Sequence, residues 1–323
     1  MRSSSVKADF SLAEPGWKIA RTALNYILHY SCGKNVRYHI DWVKKVGEGL
    51  SKEVYRADVT VFQQEEQQLV LAVSLLLHDA DEDASSGMVH EFHVLDRLNQ
   101  AESSFSVPEP VGILWHKGTL VSVRTFACGL PLELRTSKTH HGRPWEVIAK
   151  LAAEIHRFPR YALPLSRNDY STRQDHALAS LAPYDHSHIP EIRDAVQWVR
   201  AHLPPHDDAT FLHGDLLGQN VYRTLHESVW VLDWEYACYG DPAYDLAIVT
   251  RGAKKPFQIS GGLEYFIDSY RAAGGKAVTQ HDVHMYEILL LLGWYAQSLN
   301  RSGGGHAPEH YLQRLQGLLK RIR

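Results

Sequence analysis

The chain is poor in cysteine and has no long uncharged apolar segment. Its 323 residues include three cysteines, Cys32, Cys128 and Cys238, which are widely spaced and form no Cys-x-x-Cys pair. This spacing argues against a disulfide framework and against a zinc knuckle. The most apolar stretch, residues 288–295, is too short to span a bilayer. We therefore predict a cytoplasmic protein that does not cross a membrane.

The chain also lacks an excess of charge of one sign. Lys and Arg number 34 against 37 Asp and Glu, which gives a formal net charge of -3. Such a balance provides no broad positive field for the phosphates of nucleic acids or for anionic lipids, so we expect neither as a partner. Hydrophobic residues make up 44% and charged residues 22%, which are ordinary values for folded domains. The length accommodates two lobes, each with its own core.

Hydrophobic periodicity divides the chain into a strand-rich front and a helix-rich remainder. In the front, the patterns predict helices over residues 17–28 and 88–98, and strands over residues 43–46, 54–61, 69–77, 111–115 and 120–123. In the remainder they predict helices over residues 145–158 and 192–203, a β-hairpin near residues 211–233, and mainly helices after it. The composition changes after Phe126. We therefore place an N-lobe at residues 1–127 and a C-lobe at residues 128–323.

One segment concentrates residues that carry chemistry. It contains His213-Gly214-Asp215, then Asn220, and then Asp233 at the end of the predicted hairpin. Residues 221–222 and 229–232 are β-branched or apolar and flank a polar turn, so antiparallel pairing should bring Asn220 and Asp233 to one edge. Amide and carboxylate oxygens are ligands that suit Mg²⁺. Asp215 could accept a hydrogen bond from a hydroxyl that attacks a terminal phosphate, as in the His-x-Asp-x-x-x-x-Asn pattern of kinases.

Residues 211–247 resemble the aminoglycoside phosphotransferase and choline kinase superfamily. The resemblance is carried by the order and spacing of His213-Gly214-Asp215, Asn220, Leu232-Asp233-Trp234-Glu235 and Gly240-Asp241-Pro242-Ala243-Tyr244-Asp245-Leu246-Ala247. It implies that Asp215 is the catalytic carboxylate, that Asn220 and Asp233 bind Mg²⁺, and that Asp245 supports the catalytic loop. His213 would orient that loop. The implied donor is ATP or GTP.

The front of the chain is similar to the N-lobe of the same superfamily. The positions that the resemblance assigns to nucleotide binding are Gly47, Gly49, Ser51, Val54, Ala72, Glu91, Arg124, Thr125 and Phe126. The first four belong to a loop whose glycines let the backbone approach phosphate, and the last three form the hinge that touches adenine. The resemblance thus implies an α+β, bilobal protein kinase-like fold. Its N-lobe would be an antiparallel sheet with one main helix, and its C-lobe would be larger and mostly helical.

One position departs from the family pattern. Ala72, in the third predicted strand, stands where the family has a lysine that contacts the nucleotide phosphates and pairs with the helix glutamate. Three explanations are open. Lys44, Lys45 or Lys52 reaches the phosphates from a neighbouring strand, or the protein binds without turnover, or the strand alignment is shifted.

Acidic residues of the predicted C-terminal helices allow two interpretations. Glu264, Asp268, Asp282 and Glu287 either line an acidic pocket for a cationic substrate or face water, and charges on helices usually face water.

The sequence therefore predicts a small-molecule kinase that transfers the γ-phosphoryl group of ATP to a hydroxyl. Aminoglycosides or other antibiotics, sugars and amino alcohols are the candidate acceptors. A catalytically weakened nucleotide- or ligand-binding protein is the alternative, because of Ala72. A protein kinase ranks third, since the segments 233–235 and 240–247 resemble small-molecule kinases instead. The oligomeric state is open.

Overall fold

The computed structural model describes residues 15–31, 36–49, 51–77, 82–101, 103–132, 134, 143–159, 169–226, 228–249, 260–300 and 306–323. The chain divides into two compact units. Met1–Phe92 and Pro108–Ala127 form the N-terminal unit, and His93–Val107 and Cys128–Arg323 form the C-terminal unit. One division lies after Ala127, and residues 93–107 group with the C-terminal unit.

The N-terminal unit is an antiparallel sheet of five strands in the order β1-β2-β3-β5-β4. Its elements are α1 (Gly16–Ser31), β1 (Arg37–Glu48), β2 (Lys52–Phe62), β3 (Glu66–Leu76), β4 (Pro110–His116) and β5 (Thr119–Thr125). Helix α2 (Glu82–Asn99) follows β3, and its residues after Phe92 belong to the C-terminal unit.

The pleat of this sheet separates an apolar face from a charged face. On the apolar face, alternate residues of β2, β3 and β5 pack with the buried side of α1 in one core. Its strand residues include Tyr55, Ala57, Val59, Leu71, Val73, Leu75, Val121 and Val123. The intervening residues form the opposite face, which we call the charged face: Lys52, Arg56, Ala72, Ser74 and Arg124. The strand register places Arg56 and Arg124 directly opposite Ala72 on either side.

The C-terminal unit is mostly helical and has its own core. Its helices are α3 (Arg143–Ile155), α4 (Arg173–Leu181), α5 (Pro190–Ala201), α6 (Ala243–Ile248), α7 (Gly262–Ala272), α8 (Gln280–Asn300) and α9 (Pro308–Ile322). Its short strands are β6 (Leu130–Pro131), β7 (Thr210–Leu212), β8 (Val221–Arg223), β9 (Val229–Val231) and β10 (Cys238–Gly240). They form two sheets, β6-β8-β9 and β10-β7. Within the described ranges, no helix is long and apolar enough to cross a membrane.

The predicted hairpin is present in a shorter form. Val221 pairs with Val231 and Arg223 with Val229, so β8 and β9 are joined by the polar turn. Residues 210–212, at the start of the predicted hairpin, instead pair with β10. This second pairing holds the segment that precedes Asp215.

Candidate active site

The residues predicted to form the site fall into two sets. The C-terminal unit contains His213, Asp215, Asn220 and Asp233. The N-terminal unit contains the other nine, which are Gly47, Gly49, Ser51, Val54, Ala72, Glu91, Arg124, Thr125 and Phe126.

Asp245 anchors the loop that carries Asp215. Its carboxylate is fully buried in α6 and accepts hydrogen bonds from the backbone N–H groups of His213 at 2.8 Å and Gly214 at 2.9 Å. His156 Nε2 lies 3.2 Å from Asp245 Oδ2. Burial opposes ionisation of this carboxyl, but hydrogen bonds from the His156 ring and the His213 backbone outweigh it and lower the pKa of Asp245. An ionised Asp245 therefore fixes the backbone of the loop.

Both ring nitrogens of His213 are used inside the loop. Nδ1 accepts from the Asp215 N–H at 3.2 Å, and Nε2 lies 2.9 Å from the carbonyl oxygen of Leu232. A neutral imidazole protonated at Nε2 satisfies both contacts. The ring is buried, with its centroid 4.4 Å from that of Trp234. These contacts support the prediction that His213 orients the loop and transfers no proton.

Asn220 holds the side chain of Asp215. Asn220 Nδ2 donates to the backbone oxygen of Asp215 at 2.9 Å and to its carboxylate oxygen Oδ2 at 3.1 Å. Asn220 is buried, whereas Asp215 is half-buried. Because the amide nitrogen makes both bonds, the amide oxygen is the atom of Asn220 that can bind a cation.

The hairpin brings Asp233 close to Asn220 along the strands. The Leu232 N–H donates to the Asn220 carbonyl at 2.9 Å, so Asp233 is the next residue beyond that pair. Its φ of 69° lies in the left-handed region, which costs about 1–3 kcal/mol for a residue with a side chain and is frequent at functional sites. The strained backbone is consistent with a requirement for a fixed direction of the Asp233 carboxylate.

The oxygen atoms of Asn220 and Asp233 suit a Mg²⁺ ion that takes its remaining ligands from water and nucleotide phosphates. Among the described residues, no group of three or more His, Cys, Asp or Glu side chains could hold a metal ion. Mg²⁺ is usually bound by one or two carboxylates together with waters and substrate phosphates. Asp233 and the amide oxygen of Asn220 have that chemistry.

Gly214 is required by the path of the loop. Its φ is 82°, and a Cβ added there would clash with the carbonyl oxygen of Tyr236. Any side chain would therefore displace the turn that follows Asp233.

A buried chain of hydrogen bonds behind Asp245 was not predicted. The Lys276 N–H donates to the Tyr270 hydroxyl oxygen at 3.0 Å, and that hydroxyl lies 2.8 Å from His156 Nδ1. Tyr270 therefore donates to Nδ1, and Nε2–H of His156 donates to Asp245. A sequence signal existed, because position 156 continues the helical spacing of the apolar positions 148, 152 and 155.

In the N-terminal unit, the predicted glycine loop lies between β1 and β2, and Leu50 is outside the described residues. The Gly49 N–H donates to the Lys52 carbonyl at 2.8 Å, and the Ser51 carbonyl accepts from Leu77 N–H at 2.8 Å. Gly47 pairs with Val54 next to a register shift in β1. The four predicted residues of this loop are thus brought together.

The environment of Ala72 is rich in cations. Lys52 Nζ lies 3.5 Å from Glu91 Oε2, and Arg124 Nη1 lies 4.0 Å from the same oxygen. Arg124 also donates to Ser74 Oγ at 3.0 Å. Glu91 is buried. The glutamate of α2 therefore pairs with a lysine, as the resemblance implies, but that lysine is on β2 instead of β3.

Backbone hydrogen bonds connect Thr125 and Phe126, two of the predicted hinge residues, to neighbouring segments. Thr125 N–H donates to the Glu109 carbonyl at 2.9 Å, and Phe126 N–H donates to the Val70 carbonyl at 2.9 Å. The Phe126 ring lies 5.4 Å from the Arg56 guanidinium carbon. This contact with a cation connects the hinge to the charged face.

Three of the four acidic helix residues have basic partners inside the C-terminal unit. The partner pairs are Asp268 with Arg271 at 3.5 Å, Asp282 with Arg173 at 3.5 Å, and Glu287 with His284 at 2.6 Å. Asp282, Glu287 and Arg173 are buried, and His284 is half-buried. The contacts account for these charges without a cationic substrate.

The chain matches the model of the phosphotransferase enzyme family over residues 42–277. Among curated proteins it is 36% identical over 69 residues to acyl-CoA dehydrogenase family member 11 of Gallus gallus and 38% identical over 63 residues to member 10 of Mus musculus. Those matches span 20% and 19% of this chain but only 9% and 6% of the two relatives. They are therefore local matches within much longer proteins.

Solved structures share the fold at low sequence identity. The GDP and kanamycin complex of APH(2")-IIia has 12% identity and a TM-score of 0.60, covering 93% of this chain and 97% of that one. A complex of aminoglycoside phosphotransferase APH(4)-Ia with AMP-PNP and hygromycin B has 16% identity and a TM-score of 0.64, covering 87% and 94%. A choline/ethanolamine kinase family protein from Mesorhizobium loti has 19% identity and a TM-score of 0.58, covering 87% of both chains.

The family match covers most of the chain and contains both sets of predicted residues. It confirms the predicted family, and the likeness to solved structures confirms the predicted fold class. The chain therefore belongs to the phosphotransferase enzyme family.

Proposed function

We propose that this protein transfers the γ-phosphoryl group of a purine nucleotide, ATP or GTP, to a hydroxyl of a small molecule with the help of Mg²⁺. The observation that carries the proposal is the catalytic loop. Asp245 fixes its backbone, and Asn220 holds the carboxylate of Asp215 at 3.1 Å. A carboxylate fixed in this way is suited to a reaction in which positioning and charge stabilisation supply most of the rate.

Each residue of the loop has one task in this proposal. Asp215 accepts a hydrogen bond from the acceptor hydroxyl and orients its oxygen toward the γ-phosphorus. Asn220 and Asp233 would hold Mg²⁺, which neutralises negative charge on the phosphates. His213 and Asp245 keep the loop in place and touch no substrate.

The nucleotide and the acceptor are proposed by chemical class. Structures with this fold hold AMP-PNP in one case and GDP in another, which supports a purine nucleotide without favouring one base. The structure with GDP also contains kanamycin, and the structure with AMP-PNP also contains hygromycin B. A further protein with this fold is a choline/ethanolamine kinase family protein. We therefore propose aminoglycosides or other antibiotics, sugars and amino alcohols as acceptor classes. Phosphorylation of an aminoglycoside or another antibiotic would give antibiotic resistance. We also propose a cytoplasmic location, where ATP is present.

A nucleotide- or ligand-binding protein without turnover is the second candidate. The observation that favours it is Ala72, which brings no positive charge to β3. Turnover is the property that separates this candidate from the first.

The test is a measurement of ADP release from ATP with an acceptor panel, with and without Mg²⁺, for the wild type and Asp215→Asn. We expect Mg²⁺-dependent turnover with one acceptor class and a loss of about 10²–10⁴-fold in kcat for the variant. Nucleotide Kd should stay within about threefold, because Asp215 faces the acceptor.

Asp268→Asn is the matched control. Asp268 is exposed and pairs across the helix surface with Arg271, so the kcat of this variant should equal that of the wild type. Nucleotide binding by the wild type without ADP release from any acceptor would contradict the enzyme proposal and support the binding-only candidate.

A further inference from the structure

We propose that Lys52, on β2, supplies the positive charge that binds the α- and β-phosphates of the nucleotide in place of a lysine at position 72. The inference rests on the proposed nucleotide use. It assigns to one residue a role that the sequence left open among three lysines.

The register of the sheet places Lys52 on the same face as Ala72. β2 and β3 pair without a register shift from Lys52↔Leu76 to Phe62↔Glu66, so Lys52, Arg56 and Ala72 point to one side. A lysine on the neighbouring strand β2 can therefore place its ammonium group on the same face of the sheet as a lysine at position 72 would.

Lys52 also has the partner that fixes such a lysine. Its side chain is 12% exposed and that of Glu91 is 3% exposed, with Nζ and Oε2 3.5 Å apart. A buried carboxylate needs a cation nearby, because an unpaired buried charge is costly. Glu91 of α2 thus holds the ammonium group of Lys52 at the charged face.

The other two lysines are placed differently. Lys45 points to the opposite side of its strand and bonds Glu48 at 2.5 Å and Glu53 at 2.6 Å. The paired carboxylates raise the pKa of Lys45. Lys44 is opposite Arg56 on the edge strand and is exposed to solvent. Lys52 is the lysine of the three that combines burial with a link to Glu91.

The flanking arginines explain why position 72 is small. Arg56 and Arg124 face Ala72 from the two neighbouring strands, and like charges directly opposite each other destabilise a sheet. A lysine at position 72 would put a third cation between them. Arg56 is itself engaged by Asp58 at 3.0 Å and lies over the rings of Trp42 and Phe126. The charged face therefore favours a lysine that lies outside the row formed by Arg56, Ala72 and Arg124.

The test compares the binding of adenosine, AMP, ADP and ATP by calorimetry for the wild type and Lys52→Met. Methionine keeps the apolar stem and removes the charge. We expect ADP and ATP to bind at least about tenfold more weakly to the variant, as loss of a charge-assisted hydrogen bond predicts. Adenosine affinity should change less than about twofold, because the nucleoside carries no phosphate.

Two further variants make the result specific. Lys52→Arg keeps the charge and should retain most of the ADP affinity, which also separates charge loss from misfolding. Lys44→Met removes an exposed lysine from the same face and should bind ADP like the wild type.

The proposal is overturned if Lys52→Met binds ADP within twofold of the wild type, if it loses adenosine and ADP equally, or if Lys44→Met shows the loss instead. A wild type that binds no nucleotide overturns both this proposal and the proposed function. A wild type that binds ADP and turns over, with an unaffected Lys52→Met, overturns the role of Lys52 alone.

Discussion

At the scale of single residues, the loop that carries Asp215 depends on one buried carboxylate. Asp245 accepts from two backbone N–H groups and lies within hydrogen-bond distance of His156. An asparagine at this position has one oxygen in place of two and brings an N–H₂ group toward existing donors. It would leave a buried donor unsatisfied, which typically costs 1–3 kcal/mol and more near charge.

We therefore expect Asp245→Asn to lower the free energy of unfolding by about 2–4 kcal/mol and to reduce kcat. Urea unfolding at neutral pH measures the first effect. Asp268→Asn, at an exposed ion pair, should change stability by less than about 0.5 kcal/mol. Equal losses in the two variants would mean that the loop does not depend on the buried carboxylate.

We expect His176 to make the free energy of unfolding depend on pH. It is enclosed by the rings of Tyr170, Tyr244 and Tyr286, and its Nδ1 accepts from the Asp241 N–H at 3.0 Å. Burial lowers the pKa of His176 to about 4. A lowered histidine pKa means that the unfolded chain takes up the proton first as pH falls. The protein therefore keeps its full stability with respect to His176 above pH about 6.5 and loses free energy of unfolding as the pH falls toward 4.

The matching experiment measures unfolding free energy from pH 7 to pH 4 for the wild type and His176→Phe. Phenylalanine keeps the ring stacking and removes the titration. Between pH 7 and pH 4, the wild type should lose about 3 kcal/mol more free energy of unfolding than His176→Phe loses. Burial raises the pKa of Asp241 to about 6, which acts in the opposite direction but is common to both proteins. Parallel curves for the two proteins would show that His176 does not titrate in this way.

At the scale of elements, helix α4 begins at a capping box. Thr172 Oγ1 accepts from the Asp175 N–H at 3.0 Å, and Asp175 accepts from the Thr172 N–H at 3.1 Å. Thr172→Ala should lower the free energy of unfolding by about 1 kcal/mol. Thr22→Ala, which removes a bond to the Lys18 carbonyl inside α1, should have a smaller effect. A Thr172 effect no larger than that of Thr22, measured by urea unfolding, would contradict the importance of the cap.

The elements that the sequence predicted are those with a clear apolar period. The pattern at residues 17–28 predicted α1, and the runs at 54–61 and 69–77 predicted β2 and β3. Helix α4 was missed because its buried side includes Arg173 and His176, which look polar in a sequence. β7 and β10 are three residues each, too short to leave a period, and they pair across a long separation in the chain.

The candidate site follows the same logic. Asp215, Asn220 and Asp233 could be grouped because a hairpin and a motif place them within about twenty residues of each other. The pairing of Lys52 with Glu91 could not, since it depends on strand register and on where α2 lies over the unit. Spacing alone left Lys44, Lys45 and Lys52 equivalent.

At the scale of the whole molecule, each unit has its own hydrophobic core. The family match begins in the N-terminal unit and ends in the C-terminal unit, at residue 277. The departure at Ala72 therefore lies within a chain that matches the family over most of its length. If Lys52 binds the phosphates as proposed, a single change on a neighbouring strand replaces the lysine that the family has at position 72.

The central claim is that the loop carrying Asp215 performs phosphoryl transfer. It is tested most directly by mass spectrometry of the acceptor after incubation with Mg²⁺ and ATP that carries heavy oxygen in its γ-phosphoryl group. The wild type should transfer the label to an acceptor hydroxyl, whereas Asp215→Asn should transfer at least about a hundredfold less while binding nucleotide normally. Equal label transfer by both proteins, or tight nucleotide binding by the wild type with no labelled acceptor in the panel, would contradict the claim.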